Sequence, residues 1–330
     1  MILNIITYIL SFFVLVNIIL FFVQLFIAIH KYFFLREINL LDKYGNNSYV
    51  AITGASSGQG KEFAIQFAKR GFNLLLIGSK KSYKTRKFIK EICPNCKIKI
   101  VEVNFCNAYE EDFFNEIIKY FNKLDISILI NNVGHRFAWN PYHEMPRNKI
   151  NDIIVCGTIV QSQLTRLIIP GFLKREKKSA IIFITSQCIS SNYFINFNEN
   201  ILTIPYVSVY EGANIFGFAH ACSIFEEYKN QIDILNITPG AVITENTKEF
   251  LKNTLFHIES EKFINNIMKL IGNVKGTSCG CWQHSLSQFF GSLFPFIKKP
   301  ILSKIGLAIA NYYSQADGGI SQETPKEKIL

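Results

Sequence analysis

Charged side chains are absent from the first part of the chain. Residues 1–29 are predominantly apolar, and His30 and Lys31 are the first residues whose side chains can carry a charge. About 20 apolar residues are enough to cross the hydrocarbon core of a bilayer. No basic stretch precedes the apolar run, and no small-x-small cleavage site ends it as in a secretory signal. We therefore expect residues 1–30 to form a retained transmembrane anchor.

The apolar pattern changes after a linker of residues 31–48, where short β-like runs begin to alternate with helical patterns. The strand candidates are residues 49–53, 73–78, 98–103, 127–131, 180–185 and 232–237. The helix candidates are residues 59–70, 83–91, 109–122, 147–174 and 209–229. This alternation predicts an α/β fold of the Rossmann type, a doubly wound parallel sheet, over residues 49–250.

Residues 251–330 lose the alternation and are expected to form a C-terminal helical, membrane-proximal extension. Its apolar stretch from Phe289 to Tyr313 is interrupted by prolines and lysines. A membrane-surface helix, a hydrophobic lid and a plain packing helix all fit such a stretch. The chain ends Lys326-Glu327-Lys328-Ile329-Leu330, which is similar to the K-x-K-x-x retrieval signal of endoplasmic-reticulum membrane proteins.

The formal net charge of +10 is concentrated in basic clusters. Lys31, Arg36 and Lys43 flank the anchor, which predicts that the following domain lies on the cytosolic side of the endoplasmic-reticulum membrane. No basic-aromatic nucleic-acid module accompanies the clusters, so we expect no nucleic-acid partner. Attraction to anionic headgroups or phosphorylated ligands fits the charge better.

Neither the cysteines nor the histidines assemble a metal site in the sequence. The chain has eight cysteines, among them a lone C-x-x-C at Cys93 to Cys96, and Cys279-Gly-Cys281 is not a second one at zinc-ribbon spacing. On the cytosolic side these thiols stay reduced. We therefore expect buried or loop thiols and no metal.

A glycine-rich turn follows the first strand candidate. The run T-G-A-S-S-G-Q-G covers Thr53 to Gly60 and leads into a helical pattern. A strand, a glycine-rich turn and a helix together present backbone N–H groups and a helix N-terminus to a pyrophosphate. The residues expected to contact a dinucleotide here are Gly54, Ser56, Ser57, Gly58 and Gly60.

The G-x-x-x-G-x-G spacing of this turn resembles the short-chain dehydrogenase/reductase family, and four more segments follow in the family's order. They are Asn131-Asn132-Val133-Gly134, Ile184-Thr185-Ser186, the helix start at Tyr210, and Pro239-Gly240-Ala241-Val242-Ile243-Thr244. The resemblance covers about residues 48 to 250. It implies that the cofactor site includes Asn131, Gly134, Pro239, Gly240 and Thr244, the last of them on the nicotinamide carboxamide.

The resemblance also implies catalytic roles. Tyr210 is the expected general acid that protonates a carbonyl oxygen, and Ser186 hydrogen-bonds the same oxygen. The family places a Lys four residues after the Tyr, where this chain has Asn214, and an Asn on the long central helix, where it has Gly157. Tyr206 is an alternative to Tyr210, although Tyr210 would then occupy the Lys position.

The missing Lys bears on the direction of the reaction. A unit charge about 4 Å away, at an effective dielectric near 20, is worth on the order of 4 kcal/mol, or about three pKa units of a Tyr hydroxyl. Asn214 can hydrogen-bond a ribose hydroxyl but supplies no such field. Because reduction needs the Tyr as an acid, we expect a ketone reductase that is slower than a complete tetrad allows.

The choice of cofactor is expected at the end of the second strand candidate. An acidic residue there would bind the ribose 2′-hydroxyl of NAD, whereas this chain has Lys80 and Lys81, which could pair with a 2′-phosphate. We therefore predict NADP(H), with a simple solvated loop as the alternative. Asn104 takes the position where the family has an Asp near the adenine.

Among family members, the chain looks most similar to the membrane-bound branch of 3-ketoacyl-CoA reductases and 17β-hydroxysteroid dehydrogenases. The resemblance implies a lipid-like substrate, namely a long-chain 3-ketoacyl-CoA or a steroid-like lipid, and a possible homodimer through the helix at 147–174. Residues 191–202 read as an insertion that reshapes the substrate entrance or forms a surface loop. A catalytically inactive nucleotide-binding scaffold or sensor of a membrane complex is the alternative function.

Overall fold

The computed structural model describes residues 2–134, 141–187, 206–245, 247–248, 254–293 and 304. The predicted insertion at 191–202 and the basic tail at 326–330 lie outside these residues. The described chain begins with helix α1 (Ile2–Ile29), which continues as a π-helical segment, His30–Phe34. The stretch Ser11–Phe34 has a mean hydropathy of 2.8, is not buried, and is long and apolar enough to cross a membrane. The expected N-terminal apolar helix is therefore confirmed.

The core of the protein is a parallel sheet. The strands of the described chain are β1 (Tyr49–Thr53), β2 (Asn73–Gly78), β3 (Ile98–Glu102), β4 (Ile126–Asn131), β5 (Ser179–Ile184), β6 (Ile232–Ile237), β7 (Val242–Ile243), β8 (Ile258–Glu259) and β9 (Gly276–Ser278). Seven of them form one sheet in the order β3-β2-β1-β4-β5-β6-β9, and every neighbouring pair is parallel. This confirms the predicted doubly wound architecture.

Helices cover both faces of the sheet. After α1 they are α2 (Leu40–Tyr44), α3 (Gly58–Lys69), α4 (Ser82–Ile92), α5 (Asn115–Lys123), α6 (Arg147–Ile154), α7 (Val160–Leu173), α8 (Ser208–Tyr228), α9 (Ser260–Leu270) and α10 (Trp282–Leu293). Val50 and Ile52 of β1 share a buried cluster with α3 and α9, whereas Ala51 between them belongs to the cluster of α7. Successive strand residues point to opposite faces, so a strand that is buried on both sides is apolar throughout.

The sheet extends further along the chain than the sequence pattern predicts. Strand β9 lies within the segment expected as a helical extension, and it pairs with β6 at the edge of the sheet. The side chains of Phe263, Ile267 and Met268 in α9 are fully buried against the same core as β1. A three-residue strand of Gly, Thr and Ser has no apolar alternation, which explains why the pattern missed it.

Two helices differ from their predicted bounds. The helix expected over 109–122 begins only at Asn115, because residues 108–114 form turns. The helix expected over 147–174 is interrupted by a π-helical segment, Val155–Ile159, between α6 and α7. One extra residue per turn in a π-helix shifts the faces of the helix that follows, and such segments occur often at functional sites.

The predicted linker is bound along the side of the domain. Tyr32 in the π-helical end of α1 contacts Ser278 of β9, with 3.3 Å between the two hydroxyl oxygens. Further on, the side-chain amide of Asn273 donates to the carbonyl oxygen of Arg36 over 2.9 Å, and Glu37 forms a salt bridge with Arg70. We call residues 32–44 the strap, because they connect helix α1 to the sheet through contacts of this kind.

The strap ends in a buried ionic cluster. Asp233 at the start of β6 is 4% exposed and forms salt bridges with Lys43 (2.7 Å) and Lys275 (2.8 Å). The hydroxyl of Tyr44 donates to the same carboxylate over 3.0 Å. Burial opposes the charged form of Asp233, but the hydrogen bonds from Lys275 and Lys43 outweigh it and lower the pKa of the carboxyl below its usual range. The cluster thus joins α2 to the amino edge of the sheet.

Candidate active site

The glycine turn after β1 lies at the carboxyl edge of the sheet and has the geometry that a pyrophosphate needs. Gly54 has a φ of +67° and Gly58 a φ of +55°, a region that favours glycine. A Cβ on Gly60 would lie 2.4 Å from the carbonyl oxygen of Gly54, so α3 approaches the turn more closely than any side chain permits. Ser57 precedes α3 without a side-chain cap, which leaves the first N–H groups of the helix without a hydroxyl partner from that residue. These features fit a dinucleotide phosphate.

The glycine turn is braced by the end of β4. The hydroxyl of Thr53 accepts hydrogen bonds from the backbone N–H groups of Asn132 (2.9 Å) and Val133 (3.0 Å) and donates to the carbonyl oxygen of Ile130 over 3.1 Å. The side-chain amide of Asn132 donates to the Thr53 carbonyl over 2.9 Å. Asn132 was not among the sequence candidates, although it stands inside the quoted motif.

The two predicted residues of this motif lie in different surroundings. Asn131 is 5% exposed, and its amide donates to the hydroxyl of Thr165 on α7 over 3.1 Å, so it ties the sheet to that helix. Gly134 is exposed, and among the described residues nothing lies within 4 Å of the place a Cβ would take.

The residues predicted to select the cofactor lie beyond β2 and β3. Lys80 and Lys81 are exposed in the turn before α4, and Nζ of Lys80 is 3.9 Å from a carboxylate oxygen of Glu102. The side-chain oxygen of Asn104 accepts from the backbone N–H of Cys106 over 3.3 Å and so caps a short 3-10 turn. Both lysines are accessible to an anionic ligand, whereas the side chain of Asn104 stabilises the turn that follows β3.

The carboxyl ends of β5 and β6 are joined through backbone hydrogen bonds. Ser186 follows β5 and is 8% exposed. The N–H of Gln187 donates to the carbonyl oxygen of Pro239 over 2.8 Å, which holds Ser186 beside the loop after β6. Thr244 in that loop lies across from the glycine turn, since a Cβ on Gly58 would be 3.6 Å from its methyl carbon.

Helix α10 supplies a residue that the sequence analysis missed. Nδ1 of His284 accepts from the N–H of Gly240 over 3.2 Å, and Nε2 lies 3.3 Å from the carbonyl oxygen of Ala241. Together the two contacts require the neutral imidazole with its proton on Nε2. The amide of Gln187 also donates to the carbonyl oxygen of His284. A single histidine on a helix gives no sequence signal for such a role.

Tyr210 lies in the first turn of α8, and Tyr206 lies ahead of the helix with a φ of +71°. A Cβ on Gly217, two turns after Tyr210 on the same face, would be 3.2 Å from the methyl carbon of Thr185. This face of α8 therefore packs against the end of β5, where Ser186 follows. The side-chain amide of Asn214, at the expected Lys position, donates to the carbonyl oxygen of Tyr210 over 2.9 Å.

The π-helical segment brings the central helix against α8. A Cβ on Gly157 would lie 2.8 Å from Cβ of Ala213, so there is no room for an Asn side chain at position 157 in this arrangement. The side-chain amide of Gln161, one turn later, donates to the carbonyl oxygen of Gly157. The space that a relay Asn would need is thus occupied by Ala213.

The parallel sheet, the glycine turn and the Ser and Tyr at the carboxyl edge define a dinucleotide-binding α/β oxidoreductase. A family model described as "short chain dehydrogenase" matches residues 48–254, more than half of the chain. The chain belongs to this family of nicotinamide-dependent oxidoreductases.

Two relatives of the chain are named for the reactions they catalyse. A very-long-chain 3-oxoacyl-CoA reductase of Phaeosphaeria nodorum is 28% identical over 276 residues, covering 80% of this chain and 77% of the relative. The 17-beta-hydroxysteroid dehydrogenase type 3 of Homo sapiens is 28% identical over 253 residues, covering 75% of each chain. The chain is thus similar to one enzyme that is named for a 3-oxoacyl-CoA and to another that is named for a 17-beta-hydroxysteroid.

Solved structures agree on the fold. A short-chain dehydrogenase from Sphingobium yanoikuyae in complex with NADPH superposes with a TM-score of 0.61 at 17% identity, covering 86% of this chain and all of that one. A 7beta-hydroxysteroid dehydrogenase superposes with a TM-score of 0.65 at 17% identity, covering 77% of this chain and 94% of that dehydrogenase. At this identity the likeness concerns the fold.

Proposed function

We propose that this chain is an NADPH-dependent ketone reductase, anchored in the endoplasmic-reticulum membrane with its domain in the cytosol, that acts on a long-chain 3-ketoacyl-CoA. The observation that carries the proposal is the position of Ser186 and Tyr210, which follow β5 and open α8 at the same edge as the glycine turn. The similarity to very-long-chain 3-oxoacyl-CoA reductases supports the substrate class.

The chemistry follows from these two hydroxyls. When bound, the reduced nicotinamide supplies a hydride to the carbonyl carbon. The hydroxyl of Tyr210 donates its proton to the carbonyl oxygen, and the hydroxyl of Ser186 hydrogen-bonds that oxygen as negative charge develops on it. The loop Pro239–Ala241, which is held by Gln187 and His284, lies next to the segment that carries Ser186.

The direction of the reaction follows from the absence of a Lys in α8. Asn214 takes the expected position, and its side-chain amide, which donates to the carbonyl oxygen of Tyr210, is neutral and places no positive charge beside Tyr210. A neutral phenol is a competent acid and a weak base at neutral pH. We therefore assign reduction as the working direction, with oxidation of the alcohol much slower.

The preference for NADPH rests on two exposed lysines. Lys80 and Lys81 follow β2, where the adenine ribose of a dinucleotide lies in this fold. No acidic residue stands between Gly78 and Lys81 to bind a ribose 2′-hydroxyl. Changing both lysines to Gln should weaken NADPH binding at least tenfold and leave NADH binding nearly unchanged.

Turnover tests the proposal directly. The full chain in detergent micelles is mixed with NADPH and a long-chain 3-ketoacyl-CoA, and the loss of NADPH absorbance is followed; a 17-ketosteroid serves as the second substrate. We expect turnover with the acyl-CoA, loss of turnover in Tyr210→Phe with NADPH affinity retained, and faster turnover in Asn214→Lys. Turnover of the steroid alone would move the substrate class to steroids.

A non-catalytic scaffold is the second candidate, because the positions of the family's Lys and Asn hold Asn214 and Gly157. If the chain is a scaffold, we expect it to bind NADPH tightly and to oxidise no NADPH in the presence of either substrate. It also predicts that Tyr210→Phe changes nothing measurable. The two functions therefore give opposite results in the same assay.

A further inference from the structure

One side of helix α10 is bound to the domain. His284 accepts a hydrogen bond from the loop after β6, as described above, and the side-chain oxygen of Gln288 accepts from the thiol of Cys279 over 2.7 Å. The two residues lie four positions apart and therefore on one face of the helix. None of the twelve residues of α10 is charged.

The opposite side of α10 is apolar and lies against the anchor. At about 100° per residue, Trp282, Leu286 and Phe289 form a stripe across the helix from His284 and Gln288. The ring centroids of Trp282 and Phe33 are 6.2 Å apart, and those of Phe289 and Phe21 are 5.7 Å apart. Phe289, which follows Trp282 in α10, thus contacts Phe21, which precedes Phe33 in the N-terminal helix. The two helices therefore run antiparallel.

These contacts fix the position of α10 relative to the apolar stretch Ser11–Phe34. Phe21 lies twelve residues before Phe33, which is roughly 18 Å along a helix axis. A helix that contacts both rings extends from the end of this stretch well into it. If α1 crosses a bilayer, the far end of α10 cannot remain in water while it keeps its contact with Phe21.

We propose that the far end of α10 enters the bilayer beside α1, so that the carboxyl edge of the sheet lies against the membrane and receives its ketone from the lipid phase. This inference rests on the membrane anchoring proposed above. The contact between Tyr32 and Ser278 supports it, because it places the end of the anchor at the carboxyl end of β9. Trp282 then lies near the interface, where tryptophan is enriched in membrane proteins.

The chain offers its own fluorescent probe for the test. It has two tryptophans, Trp139 and Trp282, so Trp139→Phe leaves a single reporter on α10. Three further variants in the Trp139→Phe, Trp282→Phe background carry Phe289→Trp, Phe13→Trp on α1, or Phe88→Trp on α4. Phe88 is 44% exposed on the helix that covers β2 and β3, at the other end of the sheet from α10.

Each full-length variant is reconstituted into phosphatidylcholine vesicles whose acyl chains are brominated at a shallow or a deep carbon. We expect the Phe289→Trp variant to be quenched at least twofold by the deep bromine. The Phe13→Trp variant should be quenched by the shallow bromine, because Phe13 lies about 30 Å along the helix from Phe33 and therefore near the opposite interface. Trp282 should respond more to the shallow bromine, and Phe88→Trp to neither. Quenching of Phe289→Trp no stronger than that of Phe88→Trp, with Phe13→Trp quenched, would overturn the position of α10. Absence of quenching in Phe13→Trp as well would instead overturn the membrane anchoring on which it rests.

Discussion

The backbone N–H of Gly240 donates to Nδ1 of His284 over 3.2 Å, so helix α10 holds the loop that follows β6. A Cβ on Gly240 would lie 2.9 Å from the imidazole, which shows how closely the two are packed. His284 is 1% exposed. It is therefore a positioning residue for the Pro239–Ala241 loop.

His284→Ala removes this acceptor and leaves the N–H of Gly240 without it. The penalty for a fully buried donor is about 1–3 kcal/mol, and Gly240 is half-buried, so we expect the dissociation constant of NADPH to rise about fivefold, which corresponds to about 1 kcal/mol. Isothermal titration of the full chain in detergent micelles measures it. Ser287→Ala on the same helix is the matched control and should leave the constant within twofold. Equal constants for His284→Ala and the control would contradict the positioning role.

Gly60→Ala tests the close approach of α3 to the glycine turn. A Cβ at this position would lie 2.4 Å from a backbone oxygen, so the helix must move away from the turn. Overpacking of this kind costs about 1–3 kcal/mol. We expect a lower urea midpoint and NADPH binding weakened at least tenfold.

The control for this change is Gly171→Ala on α7. Gly171 is exposed, and no residue in the described part of the chain lies within 4 Å of its Cβ position. Alanine is favoured over glycine inside a helix by about 0.8–1 kcal/mol, so the control should be neutral or slightly more stable. A Gly60→Ala variant that matches the control in both measurements would refute the predicted clash.

Restoring an Asn at position 157 requires a second change. Gly157→Asn alone places a Cβ 2.8 Å from Cβ of Ala213, and we expect a loss of about 1–3 kcal/mol of unfolding free energy. The double variant Gly157→Asn, Ala213→Gly lacks the opposing Cβ. Relative to Ala213→Gly alone, it should therefore lose much less unfolding free energy than Gly157→Asn loses relative to wild type. Denaturant unfolding of the four proteins gives the coupling energy as a double-mutant cycle. Strict additivity would show that the two positions do not meet.

Asp233→Asn breaks the ionic cluster at the end of the strap. The carboxylate is buried, but its lysine partners are 27% and 40% exposed, so we expect a loss of about 1–3 kcal/mol rather than the full cost of a buried pair. Glu116→Gln at the exposed pair Glu116–Lys119 is the control and should not shift the midpoint.

The effect of Asp233→Asn depends on pH in a defined direction. The pKa of Asp233 is lower in the folded protein than its ordinary value of 3.8, so the unfolded chain binds the proton more tightly. The stability that the carboxylate contributes is therefore complete above about pH 5 and is lost as pH falls through the folded pKa. The difference between wild type and Asp233→Asn should be constant from pH 7 to 5 and shrink below pH 4. A difference that grows on acidification would contradict this assignment.

The sequence predicts the sheet because its inner strands are buried on both faces and therefore read as apolar runs between helical patterns. It also predicts the glycine turn, since Gly54 and Gly60 are required by local geometry. Strand β9 is not predicted, because Gly276-Thr277-Ser278 is short and polar. The position of this strand in the sheet is determined by its pairing with β6. The roles of His284 and Asn132 are not predicted for another reason. Both depend on contacts with backbone atoms that are distant in the sequence, and no local pattern indicates such contacts.

The strap has a consequence for the orientation of the domain. A domain on a loose linker turns freely above the membrane, whereas residues 32–44 are fastened at Ser278, Arg70 and Asp233. The domain therefore keeps one orientation relative to helix α1. With α1 across a bilayer, as proposed above, the protein still rotates about the membrane normal, but the height and tilt of the domain stay fixed, so the same face of the domain remains turned toward the bilayer.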